Sequence, residues 1–299
     1  MSSPARSSSF RFSCLWVLPF LASTVSSSID TFVFGGCSTL KYSPGSPYQE
    51  VLNSLLTSLV NSAEFSTYSN FTAPGPGSGF GSGSSPQNSP LYGLFQCRGD
   101  LNVDDCSRCV NQAVSRLGTL CVGSCGGLLQ LDGCLVKYDN ATFLGVQDKT
   151  VVLKKCAPIS GYQFNSDEAA KRDSVLGYVE TSDGTYKPYR TGWSGGARAV
   201  AQCVQDLSSG ECQDCLTEAI GQLKSNCGGA RWGDMFLGKC YVRYFEGGIR
   251  SHAGDGPSSD DNVEKTLAIL IGLIAAVALI MVFLSFLGKS YERSKGGGK

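Results

Sequence analysis

The residues in this sequence with the clearest chemical potential are cysteines at a repeated spacing. Cys97, Cys106 and Cys109 lie in the segment CRGDLNVDDCSRC, and the same spacing begins again at Cys203. Cysteines placed in this way can act as a redox dithiol, contribute ligands to zinc or form structural disulfides. The segment also contains the tripeptide Arg98-Gly99-Asp100, which raises the hypothesis of cell adhesion.

The surrounding pattern favours disulfides over catalysis. Asn102 with Asp105, and Ser208 with Glu211, have the spacing of a helix N-cap and N3 pair, which predicts a helix start before each CxxC. The cysteines then share the apolar face of each predicted helix with Val110, Ala113, Leu117, Leu216, Ala219 and Leu223. A catalytic dithiol needs an exposed thiolate, and zinc needs four ligands, whereas the sequence has one histidine, His252. We therefore expect structural disulfides, no metal and no other cofactor.

The cysteines belong to a tandem duplication. Five recur at a constant displacement and one more precedes each set: Cys37, Cys97, Cys106, Cys109, Cys121 and Cys134, then Cys156, Cys203, Cys212, Cys215, Cys227 and Cys240. We expect a first module at residues 28–147 and a second module at residues 148–251. A Gly/Ser/Pro-rich segment at residues 74–86 accounts for the greater length of the first module and is expected to form a surface loop. The Arg-Gly-Asp tripeptide aligns with Val204-Gln205-Asp206, so we interpret it as coincidence.

Hydrophobic periodicity predicts the same α+β unit twice. In the first module Ser46 is expected to cap a helix with Pro47 at N1, Gln49 at N3 and the apolar stripe Leu52, Leu55, Leu56, Leu59 and Ala63. A more polar equivalent is expected near residues 168–179. Alternating apolar residues at 128–138 and 235–245 predict strands. Two helices packed on an antiparallel sheet are the expected arrangement in each module.

Both ends of the sequence carry membrane-related patterns. Residues 1–27 have the charged, apolar and small-residue order of a secretory signal peptide. Residues 266–287 are apolar enough to span a bilayer, after a stalk at 252–265 and before a basic tail at 288–299, which predicts a cytoplasmic C-terminus. The span carries small residues four apart, a spacing that suits either helix packing or plain lipid contact: Ala268, Gly272 and Ala276. We predict a single-pass type I membrane protein.

Composition and charge limit the function. The formal net charge is zero and 17% of residues are charged, so a nucleic-acid partner is not expected. With the cysteines assigned to disulfides, no set of catalytic groups stands out, and we expect no enzyme activity. Asn70 and Asn140 begin Asn-X-Thr sequences and are candidate glycosylation sites.

The spacing C-x8-C-x2-C, followed by cysteines twelve and twenty-five residues on, resembles the plant domain of unknown function 26 (DUF26), also described as ginkbilobin-like or stress-antifungal. Two such modules with a signal peptide and one span resemble the plasmodesmata-located proteins. The resemblance implies a five-stranded antiparallel sheet with two helices per module, whereas spacing alone leaves about fifteen connectivities open per module. The implied disulfides are Cys37–Cys121, Cys97–Cys106, Cys109–Cys134, Cys156–Cys227, Cys203–Cys212 and Cys215–Cys240. Cys125 is then left over, either as a buried thiol or as a link to a second chain.

The resemblance also bears on carbohydrate binding. An antifungal member of the family binds mannose through an Asn, an Arg and a Glu. In this sequence the equivalent positions hold Ser38, Leu128 and Asp139 in the first module, and Ala157, Asp234 and Phe245 in the second. Loss of the Arg removes a forked donor for sugar hydroxyls, so we do not expect mannose binding there. Tyr186, Tyr189 and Trp193 are alternative sugar-stacking residues, although aromatic residues in such a loop also serve packing.

Two hypotheses of function follow from the resemblance. The first is a plasma-membrane protein at plasmodesmata, delivered by the secretory pathway, that regulates cell-to-cell traffic by promoting callose deposition. Its implied partners are other plasmodesmal or plasma-membrane proteins, in homo- or hetero-oligomers, and viral movement proteins. The second is a lectin-like co-receptor at the plasma membrane that senses cell-wall glycans or pathogens.

Overall fold

The computed structural model describes residues 28–75, 89–158, 166–181 and 184–246. The predicted signal peptide, most of the loop at 74–86, His252, the predicted span with Ala268, Gly272 and Ala276, and the tail lie outside the described residues. Within the described ranges, every helix is too short or too polar to cross a membrane.

The first module contains one five-stranded antiparallel sheet in the order β1-β4-β5-β3-β2. A short 3-10 helix at Ser28–Asp30 precedes it. The elements are β1 (Phe32–Cys37), α1 (Pro47–Ser62), β2 (Tyr68–Ala73), β3 (Leu91–Cys97), α2 (Val103–Leu120), β4 (Gly127–Leu131) and β5 (Cys134–Asp139).

The second module repeats this arrangement, with the sheet order β6-β9-β10-β8-β7. Its elements are β6 (Val151–Cys156), α3 (Ser166–Glu180), β7 (Tyr189–Ser194), β8 (Ala197–Cys203), α4 (Ser209–Cys227), β9 (Trp232–Leu237) and β10 (Cys240–Glu246). The predicted α+β class, with two helices on a five-stranded antiparallel sheet in each module, is confirmed.

The predicted helix starts are present, but their side chains do not all cap as expected. Ser208 and Glu211 form the complete capping box of α4. At α2 the side chain of Asn102 accepts a hydrogen bond from the backbone N–H of Asp105 at 2.8 Å, which is half of a box. At α1 the prediction was wrong in detail: Ser46 occupies the N-cap position without a side-chain cap bond. Pro47 at N1 has no N–H to be satisfied, and the nearby Gln49 side chain accepts from Gly45 N–H instead.

Each module has its own apolar core between its helices and one face of its sheet. In the first module α1 lies directly on β3, because Gly93 leaves room for Leu55 and Leu59; a Cβ at Gly93 would lie 3.1 Å from Leu55. Leu55 and Leu59 are fully buried, and each such leucine contributes about 1.5–3 kcal/mol relative to an exposed one. In the part of the chain that the structure describes, no helix packs on the opposite face of either sheet, and the two modules meet on that face.

Candidate functional site

Three disulfides in each module join its second helix to its sheet. In the first module α2 is bonded to β3 through Cys106 and Cys97, to β5 through Cys109 and Cys134, and to the end of β1 through Cys121 and Cys37. The second module repeats the pattern with Cys203–Cys212, Cys215–Cys240 and Cys156–Cys227. The structure thus joins the same six pairs that the resemblance implies. The two cysteines of each CxxC bond to different partners, so neither CxxC is a dithiol pair.

Among the described residues, no group of three or more His, Cys, Asp or Glu residues is placed to hold a metal ion.

Cys125 is unpaired and lies inside the first module, with 1% of its surface exposed. Its backbone carbonyl accepts a hydrogen bond from the hydroxyl of Tyr48 at 2.8 Å, which ties the loop after α2 to the start of α1. Burial raises the pKa of the Cys125 thiol, so the reactive thiolate is disfavoured. This position agrees with the first of the two alternatives, a buried thiol.

The two sheets are tied together by a reciprocal exchange of glutamine hydrogen bonds. Gln96 and Gln202 each stand one residue before the cysteine that ends β3 or β8. The backbone N–H of Gln205 donates to Gln96 Oε1 at 2.9 Å, and the N–H of Gly99 donates to Gln202 Oε1 at 3.3 Å. Gln202 Nε2 also donates to the Cys97 carbonyl at 2.9 Å. The two glutamines occupy equivalent positions, and each of them binds the equivalent loop of the other module.

A network of buried ion pairs crosses the same interface through one of its members. Asp132 accepts from Arg98 at 2.5 Å within the first module and from Arg243 of the second module at 2.7 Å. Arg243 also bonds Asp234 at 3.1 Å. Burial alone would lower the pKa of Arg243, but the carboxylates of Asp234 and Asp132 outweigh it and raise that pKa. The guanidinium therefore stays charged between two modules.

A second polar contact holds the segment that connects the modules. The ammonium of Lys239 forms an ion pair with Asp206 and donates to the carbonyl of Phe143 at 2.8 Å. Asp206 in turn accepts from the backbone N–H of Gly145 at 3.0 Å. These contacts hold the connecting segment between β5 and β6 against the second module.

Apolar side chains fill the rest of the interface and leave little space. Leu94 and Leu135 of the first module pack with Val204 of the second and with Phe143. The cavity that remains beside them measures about 40 Å³. Small-molecule sites usually measure about 300–1,000 Å³, so the interface is a structural joint and not a ligand pocket.

The Arg-Gly-Asp tripeptide is part of this joint. Arg98 is held by Asp132 and also by Asp100 at 2.6 Å, and only 20% of its side chain is exposed. The neighbouring Gly99 donates its N–H to Gln202, as described above. The tripeptide is therefore engaged inside the protein, which agrees with its interpretation as coincidence.

The positions that correspond to the mannose-binding residues are also occupied by internal contacts. Leu128 lines the interface cavity. Asp234 is 3% exposed and bound to Arg243, and Phe245 lies under the guanidinium of Arg198 at 6.0 Å. Asp139 accepts the N–H of Ala141 at 3.0 Å.

Several exposed aromatic residues lie near the outer edge of the second sheet. Of the three predicted stacking residues, Trp193 is 77% exposed and Tyr186 43% exposed. Tyr189 instead packs against the first module, since a Cβ added at Gly99 would lie 2.4 Å from its side chain. Tyr178, 70% exposed on α3, was missed because it lies outside the apolar stripe of that helix. Trp193 and Tyr178 both line an open groove, whose remaining lining residues are Thr191, Gly192 and Arg198.

The two candidate glycosylation sites differ in their surroundings. Asn70 is exposed on the edge strand β2, and its side-chain amide donates to the hydroxyl of Tyr68 at 2.7 Å. Asn140 is half-buried in the bend after β5. Modification of either residue stays a prediction.

Comparison with known proteins agrees with this duplicated, disulfide-bonded architecture. The profile of the family described as salt stress response/antifungal matches residues 36–141 and 155–246. Plasmodesmata-located protein 6 of Arabidopsis thaliana is 55% identical over 288 residues, with 94% of this chain and 96% of the relative covered. Plasmodesmata-located protein 7 of the same plant is 52% identical, with 89% and 85% covered.

A solved structure shows the same fold. The crystal structure of the tandem DUF26 ectodomain of the Arabidopsis thaliana cysteine-rich receptor-like protein PDLP5 is 45% identical with a TM-score of 0.65, and it covers 73% of this chain and 100% of that chain. The architecture is that of a tandem DUF26 ectodomain. The chain belongs to the salt stress response/antifungal family and, within it, to the plasmodesmata-located proteins.

Proposed function

We propose that this chain is a non-enzymatic membrane protein of plasmodesmata that regulates traffic between cells. The observation that carries the proposal is 55% identity over 94% of the chain to a protein named for its plasmodesmal location. Its modules are of the kind found in receptor-like ectodomains and not in an enzyme family. The cysteines of the repeated spacing are bonded in disulfides, which supports a role in binding over one in catalysis.

The proposed topology places both modules outside the cell. Disulfides persist in the oxidising environment that secreted segments reach, and the six bonds of the described modules fit that side of the membrane. The signal peptide at residues 1–27, the span at 266–287 and the basic tail support a type I orientation. Addition of protease to intact cells should then remove an N-terminal tag and spare a C-terminal one.

The proposed action is to restrict the channel by promoting callose deposition, through contacts of the modules and the span with other proteins. Ala268, Gly272 and Ala276 support self-association or pairing with other plasmodesmal proteins along the span. Viral movement proteins are proposed as further partners on the strength of the family resemblance. Replacement of the three small residues by leucine should weaken association in a membrane reporter assay, and an unchanged signal would remove this part of the proposal.

Localisation tests the proposal most directly. A C-terminal fluorescent fusion at native expression in leaf epidermis should form puncta that coincide with callose stain at shared walls. Loss of the gene should increase the spread of a small dye between cells, and the intact gene should restore the barrier. A smooth plasma-membrane outline would contradict the plasmodesmal role.

The exposed rings of Trp193 and Tyr178 favour a second candidate, a lectin-like co-receptor for wall glycans at the general plasma membrane. It predicts the smooth outline together with saturable glycan binding.

A further inference from the structure

The outer edge of β7 carries backbone groups that the sheet itself does not use. β7 is the last strand in the order of the second sheet, so among the described strands only β8 pairs with it. The backbone N–H of Cys203 donates to the carbonyl of Pro188 at 2.8 Å, just before β7 begins. Hydrogen-bonded pairs recur at every second position of an antiparallel ladder, so the backbone groups of Thr191 and Trp193 point away from β8. Such an open edge can pair with a further strand.

Two exposed rings flank this edge on opposite faces of the sheet. Gly192 faces α3, because a Cβ there would lie 3.0 Å from the ring of Tyr178. Side chains alternate along a strand, so Trp193 faces the other side. Tyr178 is 70% exposed and Trp193 is 77% exposed. The two rings do not share a face, but a strand added at the edge would contact both, because its own side chains alternate between the two faces.

The space for an added strand is present along β7. Two open grooves of about 550 Å³ and about 630 Å³ meet at the edge, and Tyr178 and Thr191 border both. The first groove continues along α3 past Ser174 and Thr181, and the second continues to Trp193. Residues spaced three and four apart lie on one side of a helix, so α3 presents a row of side chains beside the edge. Addition of an extended peptide to an open sheet edge is a recurring mode of recognition.

Cations lie on both sides of the edge. On the α3 side, the side chain of Lys171 lies over the turn between β7 and β8, since a Cβ at Gly195 would lie 2.7 Å from its Cδ. On the other side, Arg198 is exposed and lies directly opposite Trp193 in the ladder of β7 and β8. None of the described residues that border the two grooves is a carboxylate. Each face of the edge thus combines an exposed ring with a positive charge.

From these observations we propose that the edge of β7 binds an extended acidic peptide of a partner protein as a sixth strand of the second sheet. Hydrogen bonds to the backbone of Thr191 and Trp193 supply affinity, and acidic and apolar side chains of the peptide contact the cation and the ring on each face. A second copy of this chain fits less well, because pairing of two β7 edges brings like charges together. The inference goes beyond the proposed function and does not depend on where in the plasma membrane the protein lies.

The matching edge of the first module is not expected to bind. Asn70 of β2 occupies the position of Thr191 in β7. Asn70 begins an Asn-X-Thr sequence, and a glycan on its side chain would obstruct an added strand. The position that matches Trp193 holds Thr72, so this edge lacks the exposed ring. We therefore expect one site per chain.

Calorimetric titration of the purified full chain in detergent tests the proposal. The probe is the capped peptide Glu-Glu-Val-Val-Glu-Glu, which presents carboxylates and a valine on each face when it is extended. One control peptide carries Lys in place of every Glu. The other keeps the sequence but is N-methylated at both valines, which removes a backbone donor from each edge of the peptide. We expect binding at least about tenfold weaker for either control.

Hydrogen exchange gives a direct readout of strand pairing. The amides of Thr191 and Trp193 should exchange more slowly when the probe is bound, because the peptide then accepts their hydrogen bonds. Added salt should weaken binding of the probe.

Substitutions at Thr191 separate backbone pairing from side-chain contact. Thr191→Pro removes the outward N–H and should weaken binding of the probe by about tenfold or more. Thr191→Val keeps the N–H and should bind as the parent chain does. Proline is tolerated on an edge strand where the N–H faces away from the ladder, so the unfolding temperature should stay unchanged. Thr72→Pro, the equivalent type of change on β2, should leave binding unchanged.

Charge reversal provides a test that does not depend on the proline variant. The exposed cations Lys171 and Arg198 are both replaced by Glu. This variant should bind the Lys peptide more tightly than the Glu peptide, which inverts the preference of the parent chain.

Any of four results would overturn the proposal: the probe does not bind, the N-methylated peptide or the Thr191→Pro variant shows unchanged affinity, the charge-reversed variant keeps the preference for the acidic peptide, or the amides of Thr191 and Trp193 are already protected without peptide. The last result, together with a dimer in analytical ultracentrifugation that Thr191→Pro abolishes, would assign the edge to a second copy of this chain.

Discussion

Asp132 of the first module and Arg243 of the second are bonded at 2.7 Å, although each belongs to a sheet with its own core. Arg243 is at the same time bonded to Asp234 of its own module. The two modules therefore share a buried charge network. Removing one member of such a network takes a counter-charge away from its buried partners, although Asp132 keeps its ion pair with Arg98.

We expect Arg243→Met to lower the free energy of unfolding by about 3–5 kcal/mol, because two buried carboxylates lose a cation. The measurement is urea unfolding followed by circular dichroism. Arg108→Ala is the matched control, since Arg108 bonds Asp105 at 2.7 Å on the surface, and such pairs contribute about 0.2–1 kcal/mol. Equal effects of the two variants would show that the interface charges are not energetically coupled.

A disulfide should stabilise the protein more when it encloses a longer segment of the chain. Cys37 and Cys121 are separated by 84 positions and Cys97 and Cys106 by 9. Loop-closure entropy then gives about 4.5 kcal/mol for the long loop and about 2.5 kcal/mol for the short one. Paired Cys→Ser variants, compared by the same unfolding measurement, should follow this order, and the reverse order would contradict the entropic account.

Cys125 should react only when the chain unfolds. For the chain without residues 1–27, which contain Cys14, we expect no reaction of the native protein with an aromatic disulfide reagent at neutral pH and one thiol per chain in denaturant, because the Cys125 thiol is buried and its pKa is raised. Non-reducing electrophoresis should show no dimer that depends on this residue. A dimer abolished by Cys125→Ala would refute the assignment as a buried thiol.

Stability should fall in alkaline solution because of buried phenols. Burial raises the pKa of Tyr244 from 10.0 to about 12, and its hydroxyl donates to the carbonyl of Cys227 at 2.7 Å. Between pH 10.0 and about pH 12 the folded chain keeps the Tyr244 proton that the unfolded chain has lost. The free energy of unfolding therefore decreases as the pH rises through this range. Each such group contributes a slope of up to about 1.4 kcal/mol per pH unit.

Urea midpoints measured from pH 8 to about pH 11 test this slope. Tyr244→Phe should lose about 1 kcal/mol at neutral pH, from the missing hydrogen bond, and should show a shallower decline above pH 10. Tyr178→Phe, a change to an exposed ring, is the control. A decline identical in all three proteins would assign the alkaline effect to other groups.

Local patterns predicted the interior of each module well. The cap residues Asn102 and Ser208 lie at the start of α2 and α4, and Cys109, Val110 and Leu117 are buried as the helical period indicated. These features depend on neighbours a few residues apart, which sequence periodicity reports directly. The side chain of Ser46 does not cap α1, because the N–H of Gln49 at N3 donates to the backbone carbonyl of Ser46 at 3.0 Å instead.

The interface escaped prediction because its partners are distant in sequence. Gln96 and Arg243 are polar residues on strand faces that alternation assigns to solvent, and Asp132 lies in the turn between β4 and β5. No feature of the neighbouring sequence indicates that a second sheet covers these residues. Tyr178 was missed for a related reason: it lies on the polar side of a weakly amphipathic helix, where an exposed ring has no periodic signature.

The reciprocal glutamines have a mechanical consequence. Gln96 and Gln202 each bind the backbone of the other module. We therefore expect a force on the outer edge of one sheet to be transmitted to the second sheet through these buried side chains and not to be absorbed by a flexible linker. The two modules are then expected to move together when tension is applied to one of them.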